Sequence, residues 1–316
     1  MKINKKQPLV TIAIPTFNRK EYLKQAIESV LEQSYKNIEL VVSDNHSDDG
    51  TEELVSGYLK KHSNIRYFRQ DENVGARLNW LNCVHAATGE YCLILSDDDI
   101  LELDAVEKMV RAFEENVVLV IGNMRYIDTS GKPFRKRVNI PGTLTTSEFW
   151  EARLMKEYHD TPSAVMYPTR IGRAAWDKTE EAGSAMDLAT DLIIANAGNV
   201  KCIEDIVVNY RIHDGNDTKN VYRCAKSHVG FYHLMEDKVP NNKCKHYLVR
   251  YCEDVISGYV YIAMRQGDLQ LANKCLLLLR TLYGYSRLRG ALLVGRFVVT
   301  HGWRKVWRMF VGGNCL

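Results

Sequence analysis

The sequence predicts an α/β fold in which a mostly parallel sheet is flanked by helices, with a helical appendage at the C-terminal end. Two observations predict this fold. Short apolar runs alternate with helical patterns through the first 125 residues, and a helical pattern with few breakers begins at Lys219. Strands that are joined by helices imply right-handed crossovers, so neighbouring strands run parallel and both faces of the sheet are covered.

Strand and helix patterns alternate in the first part of the chain. The predicted strands are Val10–Pro15, Ile38–Ser43, Ile65–Phe68, Tyr91–Leu95 and Val117–Ile121. The predicted helices are Glu21–Gln33, Thr51–Lys61, Ala76–Ala87 and Asp104–Glu115. The strands are short apolar runs, whereas the helices carry apolar residues three and four positions apart.

The remainder of the chain changes character at about residue 218. Residues 126–218 mix proline-containing loops with a predicted helix at Asp187–Ala197 and a predicted strand at Asp205–Tyr210. Residues 219–316 show a helical pattern. We therefore expect one domain over residues 1–218, with halves of about 1–125 and 126–218, and a helical region over residues 219–316.

Composition and charge narrow the class of protein. The net charge is +3, and no acidic residue follows Asp268, so a basic tail ends a mildly acidic body. That balance does not indicate a nucleic-acid-binding protein. The eight cysteines lack metal-ligand spacing and suit reduced, buried thiols. The sequence shows neither a signal peptide nor an apolar run of the roughly 20 residues that span a membrane, so we expect a cytoplasmic location.

Polar, acidic and glycine residues gather directly after four predicted strands. The four loops are PTFNR at 15–19, DNHSDDGT at 44–51, DENVGAR at 71–77 and SDDD at 96–99. Ligands of open parallel sheets bind beyond the carboxyl ends of the strands. The pattern therefore predicts a nucleotide pocket at this edge of the sheet.

Three consecutive carboxylates, Asp97, Asp98 and Asp99, follow the fourth strand. Their mutual repulsion in a partly dry cleft costs several kcal/mol at an effective dielectric near ~20. A divalent cation removes that cost, and hard oxygen ligands suit Mg2+ or Mn2+. The alternative is a solvated acidic turn in which Asp99 or Asp104 caps the next helix.

In combination, the segments at 10–19, 28–51, 73–82, 89–99 and 210–218 resemble family 2 of the glycosyltransferases. This is the inverting family with the GT-A fold, which is Rossmann-like, and the resemblance covers roughly residues 8–218. Its similar bacterial members build surface polysaccharides on a lipid carrier. The resemblance implies transfer of a sugar from a nucleotide sugar, expected to be a UDP-sugar, to the hydroxyl of a saccharide acceptor that is expected to be lipid-linked.

The resemblance also implies roles by position. Asp98, Asp99 and His213 would bind Mn2+ or Mg2+, and Arg211 would reach the diphosphate. The implied nucleotide-binding residues are Pro15, Thr16, Asn18, Asp44, Asn73, Gly75, Arg77 and Asp97. Ser96 stands where the family usually has the first aspartate of its motif, so the identity of the metal ligand stays open, with Asp98 favoured.

The catalytic base of the family comes from the start of a helix after the sheet. The matching segment here is AMDLATDLIIANAG at 185–198, in which Asp187 and Asp191 share one helical face. Its spacing to Gly198 ranks Asp187 first and Asp191 second. Met186 replaces the usual acidic neighbour.

The tail from about Tyr285 to Val311 has an amphipathic pattern, with Trp303, Trp307 and Phe310 on one face and most of the basic residues off it. This is the composition of an interfacial helix, and it predicts peripheral contact with the inner face of the cytoplasmic membrane. The alternative is packing on the catalytic domain or on a second subunit, which leaves the oligomeric state open.

Two other function classes are the alternatives to a glycosyltransferase. A nucleotidyltransferase would need a glycine-rich loop with Arg or Lys after the first strand, and PTFNRKEY is not glycine-rich. A non-enzymatic nucleotide- or metal-binding module is the other alternative.

Overall fold

The computed structural model describes residues 7–157, 161–213 and 220–283. The chain divides into two compact units. The first comprises Met1–Phe149, Lys156–Lys178 and Thr190–Arg211, and the second comprises Trp150–Met155, Thr179–Ala189 and Ile212–Leu316. The functional division predicted at residue 218 stays a prediction.

Strands and helices alternate as the sequence predicts. The strands are β1 (Val10–Thr16), β2 (Ile38–Asp44), β3 (Ile65–Arg69), β4 (Tyr91–Ile94), β5 (Ile100–Leu101), β6 (Val117–Ile127), β7 (Pro133–Arg137), β8 (Gly142–Leu144), β9 (Val165–Pro168) and β10 (Asn199–Arg211). The helices are α1 (Lys20–Leu31), α2 (Thr51–Leu59), α3 (Ala76–Ala86), α4 (Ala105–Arg111), α5 (Thr146–Leu154), α6 (Thr169–Trp176), α7 (Met186–Ala195), α8 (Val221–Met235), α9 (Asn242–Arg265) and α10 (Leu269–Tyr283).

The predicted α/β fold with a mostly parallel central sheet is confirmed. The strand order is β3-β2-β1-β4-β9-β6-β10-β5, and β1, β2, β3 and β4 all run parallel. Strands β6 and β10 are also parallel to each other, and the short β9 runs antiparallel between β4 and β6. The carboxyl ends of β1 to β4 therefore meet at one edge of the sheet, where the four polar loops begin.

The second half of β6 departs from the sequence prediction. The expected strand ended at Ile121, but β6 continues to Ile127 and pairs there with β7 and β10. Polar Asn123 and Arg125 interrupt the apolar run, so periodicity alone does not show the extension. Asn123 is fully buried, and its amide nitrogen is satisfied by hydrogen bonds to the backbone carbonyls of Ile203 and Glu204 in β10.

The second unit is helical. Its apolar core joins residues of α8, α9 and α10, including Ala225, Val260 and Cys275. Helix α8 lies close to residues 180–185, because a Cβ atom at Gly230 would lie 1.7 Å from the carbonyl oxygen of Glu181. Only glycine permits that approach.

The structure also bears on the predictions about the cysteines and about membrane-spanning helices. Seven of the cysteines lie in its described part, and all seven are buried and free of disulfides, as expected. Among the helices of the described residues, none is both long and apolar enough to cross a bilayer. The amphipathic tail predicted from Tyr285 to Val311 lies outside the described residues.

Candidate functional site

The loops after β1 and β2 are joined by hydrogen bonds around Asn18. The Asn18 backbone N–H donates to Ser47 Oγ at 2.9 Å, and its Oδ1 accepts from the Asp48 N–H at 2.9 Å. Asn18 has a left-handed backbone, with φ of 52°, which an asparagine tolerates better than most residues. Asn18 therefore fixes one loop against the other, between the predicted nucleotide-binding residues Thr16 and Asp44.

Asp44 ends β2 and is fully buried. Its Oδ1 accepts from the Ser47 N–H at 2.9 Å, and its Oδ2 accepts from the Tyr67 hydroxyl at 2.7 Å. Burial raises the pKa of Tyr67 well above its usual value, and the bond to Asp44 adds to that rise. The hydroxyl therefore stays protonated and holds the carboxylate in place. The expected contact between Asp44 and the base stays a prediction.

The loop after β3 is organised by two asparagines. Asn73 Oδ1 accepts from the Asn45 amide and from the Gly75 N–H, both at 2.9 Å. Gly75 has φ of 86°, a conformation that favours glycine, and it directly precedes α3. In the first turn of α3, Arg77 Nε is buried and has no hydrogen-bond partner in the described part of the chain. An orphaned donor at this position suits an anionic ligand.

Asn79, which the sequence analysis did not single out, ties the ends of β1 and β2 together. Its amide nitrogen donates to the carbonyl oxygens of Thr16, at 3.3 Å, and of Ser43, at 3.0 Å. Its Oδ1 accepts from the Ser43 hydroxyl at 2.7 Å. One side chain thus sets the spacing of two strand ends, and nothing in the local sequence indicates that role.

The aspartate loop after β4 meets the end of β1. Asp97 Oδ2 accepts from the Thr16 hydroxyl at 2.7 Å. Arg19 Nη1 bridges Asp97 Oδ1 at 3.0 Å and Asp98 Oδ2 at 2.9 Å. Both aspartates are nearly buried, whereas the Arg19 side chain is 31% exposed. A cation therefore lies on the solvent side of a carboxylate pair.

The pKa of Asp97 is raised above its usual value. Burial raises the pKa of Asp97 to about 6, even though the nearby Arg19 guanidinium lowers it, and the charge of Asp98 raises it further. A raised pKa means that the charged form of Asp97 is disfavoured where it lies, and a cation bound beside it would favour that form.

Two carboxylates of the aspartate loop could bind Mg2+ or Mn2+, but they do not form a complete set of metal ligands by themselves. The described residues contain no group of three or more His, Cys, Asp or Glu side chains arranged around a common point. Mg2+ commonly binds one or two protein carboxylates together with substrate phosphates, and Asp97 and Asp98 supply that number. The residues therefore suit a cation that arrives with a diphosphate.

Asp99 has a different environment from its two neighbours. It is fully buried, its Oδ2 accepts from the Ser163 hydroxyl at 2.6 Å, and its Oδ1 accepts from the Arg211 backbone N–H at 3.0 Å. Burial raises the pKa of Asp99 well above the usual range, and the charge of Asp98 adds to that rise. This arrangement favours an anchoring role for Asp99, whose predicted metal contact is not tested.

The Arg211 guanidinium is directed into the protein. Its Nε donates to the Asp98 carbonyl at 2.9 Å, its Nη1 to the carbonyls of Asp128 and Thr129, and its Nη2 to Gln25 Oε1 at 2.8 Å. The side chain is 1% exposed. These bonds favour positioning of the aspartate loop over contact with a diphosphate, which stays a prediction.

The remaining predicted residues, Asp187, Asp191 and His213, come from later segments of the chain. Asp187 is in the first turn of α7, half-buried, and its carboxylate accepts from the Leu188 N–H at 2.8 Å. Asp191, one turn later, is 6% exposed. His213 is half-buried and belongs to the second unit. Their catalytic and metal-binding roles stay predictions.

Two contacts of the aspartate loop were not foreseen. Arg19 lies in the loop after β1, and a basic residue directly after a strand, in a sheet with an acidic loop at a neighbouring strand end, is a signal that could have predicted its contact. Ser163 contacts Asp99 across 64 residues of chain, and its own segment, PSA at 162–164, gives no signal.

Comparison with known proteins adds independent findings. The model of the family described as "Glycosyl transferase family 2" matches residues 11–179, which is more than half of the chain. Over 117 residues the chain is 35% identical to a GalNAc(5)-diNAcBac-PP-undecaprenol beta-1,3-glucosyltransferase of Campylobacter jejuni, covering 37% of this chain and 38% of that protein. Over 101 residues it is 41% identical to the abequosyltransferase RfbV of Salmonella typhimurium, covering 31% and 30%. The matched segment thus spans about a third of these two relatives.

Solved structures with the same architecture extend over most of the chain. S. aureus TarS 1–349 in complex with UDP-GlcNAc aligns with a TM-score of 0.67 and 15% identity, covering 90% of this chain and 84% of that one. The mannosyltransferase PcManGT of Pyrobaculum calidifontis, in complex with GDP-Man and Mn2+, aligns with a TM-score of 0.55 and 16% identity, covering 98% and 85%. At such identities the likeness establishes the fold, which is GT-A.

Proposed function

This chain belongs to glycosyl transferase family 2 and is a glycosyltransferase, and we propose that it moves the sugar of a UDP-sugar, with inversion, to a hydroxyl of a lipid-linked saccharide. One observation carries the proposal. Asp97 and Asp98 form a buried carboxylate pair at the end of β4, against Thr16 and Arg19 at the end of β1. A pair with excess negative charge at the ligand-binding edge of the sheet suits a nucleotide diphosphate that brings a divalent cation.

The metal role goes to Asp98, with Asp97 beside it. Arg19 contacts Asp97 and Asp98 alike, Asp97 also accepts from the Thr16 hydroxyl, and Asp99 accepts from Ser163 and the Arg211 backbone. Mn2+ or Mg2+ bound there would neutralise the charge that develops on the departing diphosphate. Arg19 and the orphaned Nε of Arg77 would supply further positive charge to the same anion.

The transfer itself needs one base. We assign it to Asp187, which would take the proton of the acceptor hydroxyl while that oxygen attacks the anomeric carbon. The bond from that carbon to the diphosphate oxygen breaks on the opposite face, so the configuration inverts and a nucleoside diphosphate leaves. Greater exposure supports Asp187 over Asp191, because a base must reach the acceptor.

The acceptor class rests on relatives. The Campylobacter protein is named for a glycan on an undecaprenol carrier, which supports a lipid-linked acceptor in bacterial surface polysaccharide synthesis here. The UDP-GlcNAc named for TarS supports a UDP-sugar as donor. A lipid-linked acceptor also suits a cytoplasmic enzyme on the inner face of the membrane, held there by the basic tail after Tyr283. Flotation with anionic vesicles tests that anchor, since a chain ending at Tyr283 should lose it.

A donor panel tests the reaction. The purified chain is incubated with UDP-, GDP-, dTDP- and CMP-sugars and an extracted lipid-linked saccharide pool, with Mn2+ or with a chelator. Mass spectrometry should detect one added sugar from a UDP donor only when metal is present, and NMR of the product should show the inverted anomeric configuration. Transfer from another nucleotide class, or retention of configuration, would contradict the corresponding part of the proposal.

The metal assignment is tested separately by calorimetry. Asp98→Ala should abolish Mn2+-dependent UDP binding and leave the fold intact. Asp104→Ala removes an equal charge from an exposed residue that pairs with Lys108, and it should bind UDP like the parent chain. Undiminished Mn2+-dependent binding by Asp98→Ala would reject the assignment.

A further inference from the structure

A basic hairpin with exposed apolar residues is formed by the second half of β6 and by β7, and its outer strand contains none of the residues assigned to the proposed site. Its outer strand and the following segment, residues 132–140, are called here the basic arm. Between Asp128 and Glu148 the chain has no acidic residue, while the arm contributes Lys132, Arg135, Lys136 and Arg137. This is a local concentration of positive charge that the net charge of +3 does not reveal.

Apolar side chains are exposed among these cations. Phe134 is 50% exposed, Val138 is 62% exposed and Ile140 is 69% exposed. Scattered single apolar residues on a surface are ordinary, but three within seven positions of one segment, interleaved with basic residues, form a patch. Such a patch is typical of a surface that meets a partner.

The basic arm is fixed in place by strand pairing and by side-chain hydrogen bonds. Strand β7 pairs with β6, with Arg137 opposite Met124 and Arg135 opposite Tyr126. The turn before it is closed by Asp128, whose carboxylate accepts from the N–H groups of Ser130 and Lys132, both at 2.9 Å. Beyond β7, the Asn139 N–H donates to Asn123 Oδ1 at 2.6 Å. Asn139 is thereby buried between two exposed aliphatic residues, Val138 and Ile140.

We propose that the basic arm is a membrane-contacting surface that lies on an anionic lipid bilayer. Basic residues beside exposed aliphatic and aromatic residues are the combination that binds an anionic interface, since charge attracts the headgroups and the apolar side chains enter the boundary region. The inference goes beyond the proposed function, because it assigns membrane contact to the sheet-containing unit and makes no use of the tail.

Other roles for the arm fit less well. Charge on an outer strand also prevents edge-to-edge aggregation, but exposed Phe134, Val138 and Ile140 would work against that purpose. The chain's own tail is an unsuitable cover, because residues 284–316 contain six basic residues and no acidic ones (Arg287, Arg289, Arg296, Arg304, Lys305 and Arg308). Nucleic acid would pair with the charge but would leave the aliphatic residues in water.

Vesicle partitioning of the full chain tests the proposal. Lys132→Gln/Lys136→Gln should reduce the partition coefficient on phosphatidylglycerol-rich vesicles by about tenfold or more, because each cation contributes about fivefold, or ~1 kcal/mol. Lys60→Gln/Lys61→Gln removes the same charge from an exposed pair after α2 and should change it less than about twofold. Equal losses in both variants would overturn the proposal, because they would show a net-charge effect.

The apolar component needs its own variants. Val138→Ser/Ile140→Ser should also weaken partitioning, by about tenfold or more, because both aliphatic side chains would enter the boundary region of the bilayer. Leu103→Ser, at a residue that is 63% exposed, is the matched control and should have no effect. Unchanged partitioning of the double variant would overturn the proposal.

A local probe separates the arm from the tail. An environment-sensitive fluorophore on Ile140→Cys, in a Cys315→Ser background, should shift to the blue when anionic vesicles are added and should not shift with phosphatidylcholine vesicles. The other seven cysteines are buried, which limits their labelling. If the chain binds vesicles without that shift, the basic arm does not contact the bilayer and the proposal is overturned.

If the arm variants instead change the oligomeric state in sedimentation experiments, the partner is a second copy of the chain, and the proposal is again overturned. UDP affinity should stay constant throughout, so a wrong donor assignment would not be confused with a wrong arm.

Discussion

The backbone N–H of Arg211 donates to Asp99 Oδ1 at 3.0 Å, which joins the end of β10 to the aspartate loop after β4. The Arg211 side chain strengthens the same connection, because its Nε donates to the Asp98 carbonyl at 2.9 Å. Its guanidinium carbon also lies 4.8 Å from the centre of the Tyr22 ring. The buried Arg211 thus fixes the position of the aspartate loop, residues 96–99.

Arg211→Lys should therefore act on stability. Lysine cannot reproduce the fork of donors that contacts several carbonyl groups, so the free energy of unfolding should fall by about 2 to 4 kcal/mol. Urea unfolding measures this, and Arg111→Lys, at an exposed ion pair, should cost less than about 0.5 kcal/mol. If Arg211→Lys is as stable as the parent chain but binds UDP at least tenfold more weakly, the guanidinium contacts the diphosphate and its positioning role is wrong.

Arg19 should compete with a divalent cation for Asp97 and Asp98. Its Nη1 bridges both carboxylates, so a metal ion must displace or share that contact. Arg19→Gln is expected to strengthen Mn2+ binding in the absence of nucleotide by about threefold to tenfold, a range that allows for solvent screening of a partly exposed side chain. Manganese titration followed by electron paramagnetic resonance measures it.

Lys24→Gln is the matched control, because it removes one positive charge from an exposed position on α1, the helix that follows Arg19. Its Mn2+ affinity should equal that of the parent chain. Unchanged or weaker Mn2+ binding by Arg19→Gln would contradict the competition.

The sequence predicted those site contacts that follow from the order of the parallel strands. It did not predict contacts that are made by residues from other segments of the chain. Four parallel strands bring their carboxyl ends together, so the meeting of Thr16 with Asp97 across 81 residues follows from the strand-end rule. Ser163 reaches Asp99 from the short 3-10 segment before β9, a strand that runs antiparallel between β4 and β6. No local pattern encodes that insertion.

The fold was predictable to a similar extent. Strands β1, β2 and β4 are short and mostly apolar, so their burial is visible in the sequence. Strand β7 reads PFRKR, and four of its five residues are exposed. Its position comes from pairing with β6, whose polar Arg125 opposes Lys136, so neither strand segment shows the apolar run or alternation that predicts a strand.

Glu39 on β2 should stabilise the fold in a pH-dependent way. Its carboxylate accepts from the Thr88 hydroxyl at 2.8 Å, the Gly89 N–H at 3.1 Å and the Thr11 hydroxyl. Burial raises the pKa of Glu39, but these hydrogen bonds outweigh burial and hold it below the usual value. A lowered pKa means that the ionised form contributes stability above the unfolded pKa of about 4.3, and that this contribution is lost as pH falls through the folded pKa.

Glu39→Gln should consequently lower the free energy of unfolding by about 1 to 3 kcal/mol near neutral pH, because an amide nitrogen would face N–H and O–H donors. The difference from the parent chain should shrink as the pH is lowered toward about 3. Urea unfolding at stepped pH values measures both effects. Glu53→Gln, on the exposed face of α2, is the control and should be neutral. A penalty that does not change with pH would show that shape, rather than charge, matters at this position.

Asp187 and Asp191 make separable contributions if Asp187 is the base. Asp191 is 6% exposed, and its charge contributes, after burial, to the raised pKa of Tyr167 in the core. Asp187 is half-buried in the first turn of α7, and its carboxylate accepts from the Leu188 N–H at 2.8 Å. Because an amide oxygen can accept the same hydrogen bond but an amide cannot take a proton, Asp187→Asn should keep its UDP affinity and stability while turnover falls by about a hundredfold or more. Asp191→Asn should chiefly change the urea midpoint, with turnover within about tenfold of the parent chain.

An active Asp187→Asn beside an inactive but stable Asp191→Asn would exchange the two roles, because the same helix would then supply its base one turn later. Full activity in both variants would mean that the proton of the acceptor hydroxyl goes to a residue outside α7.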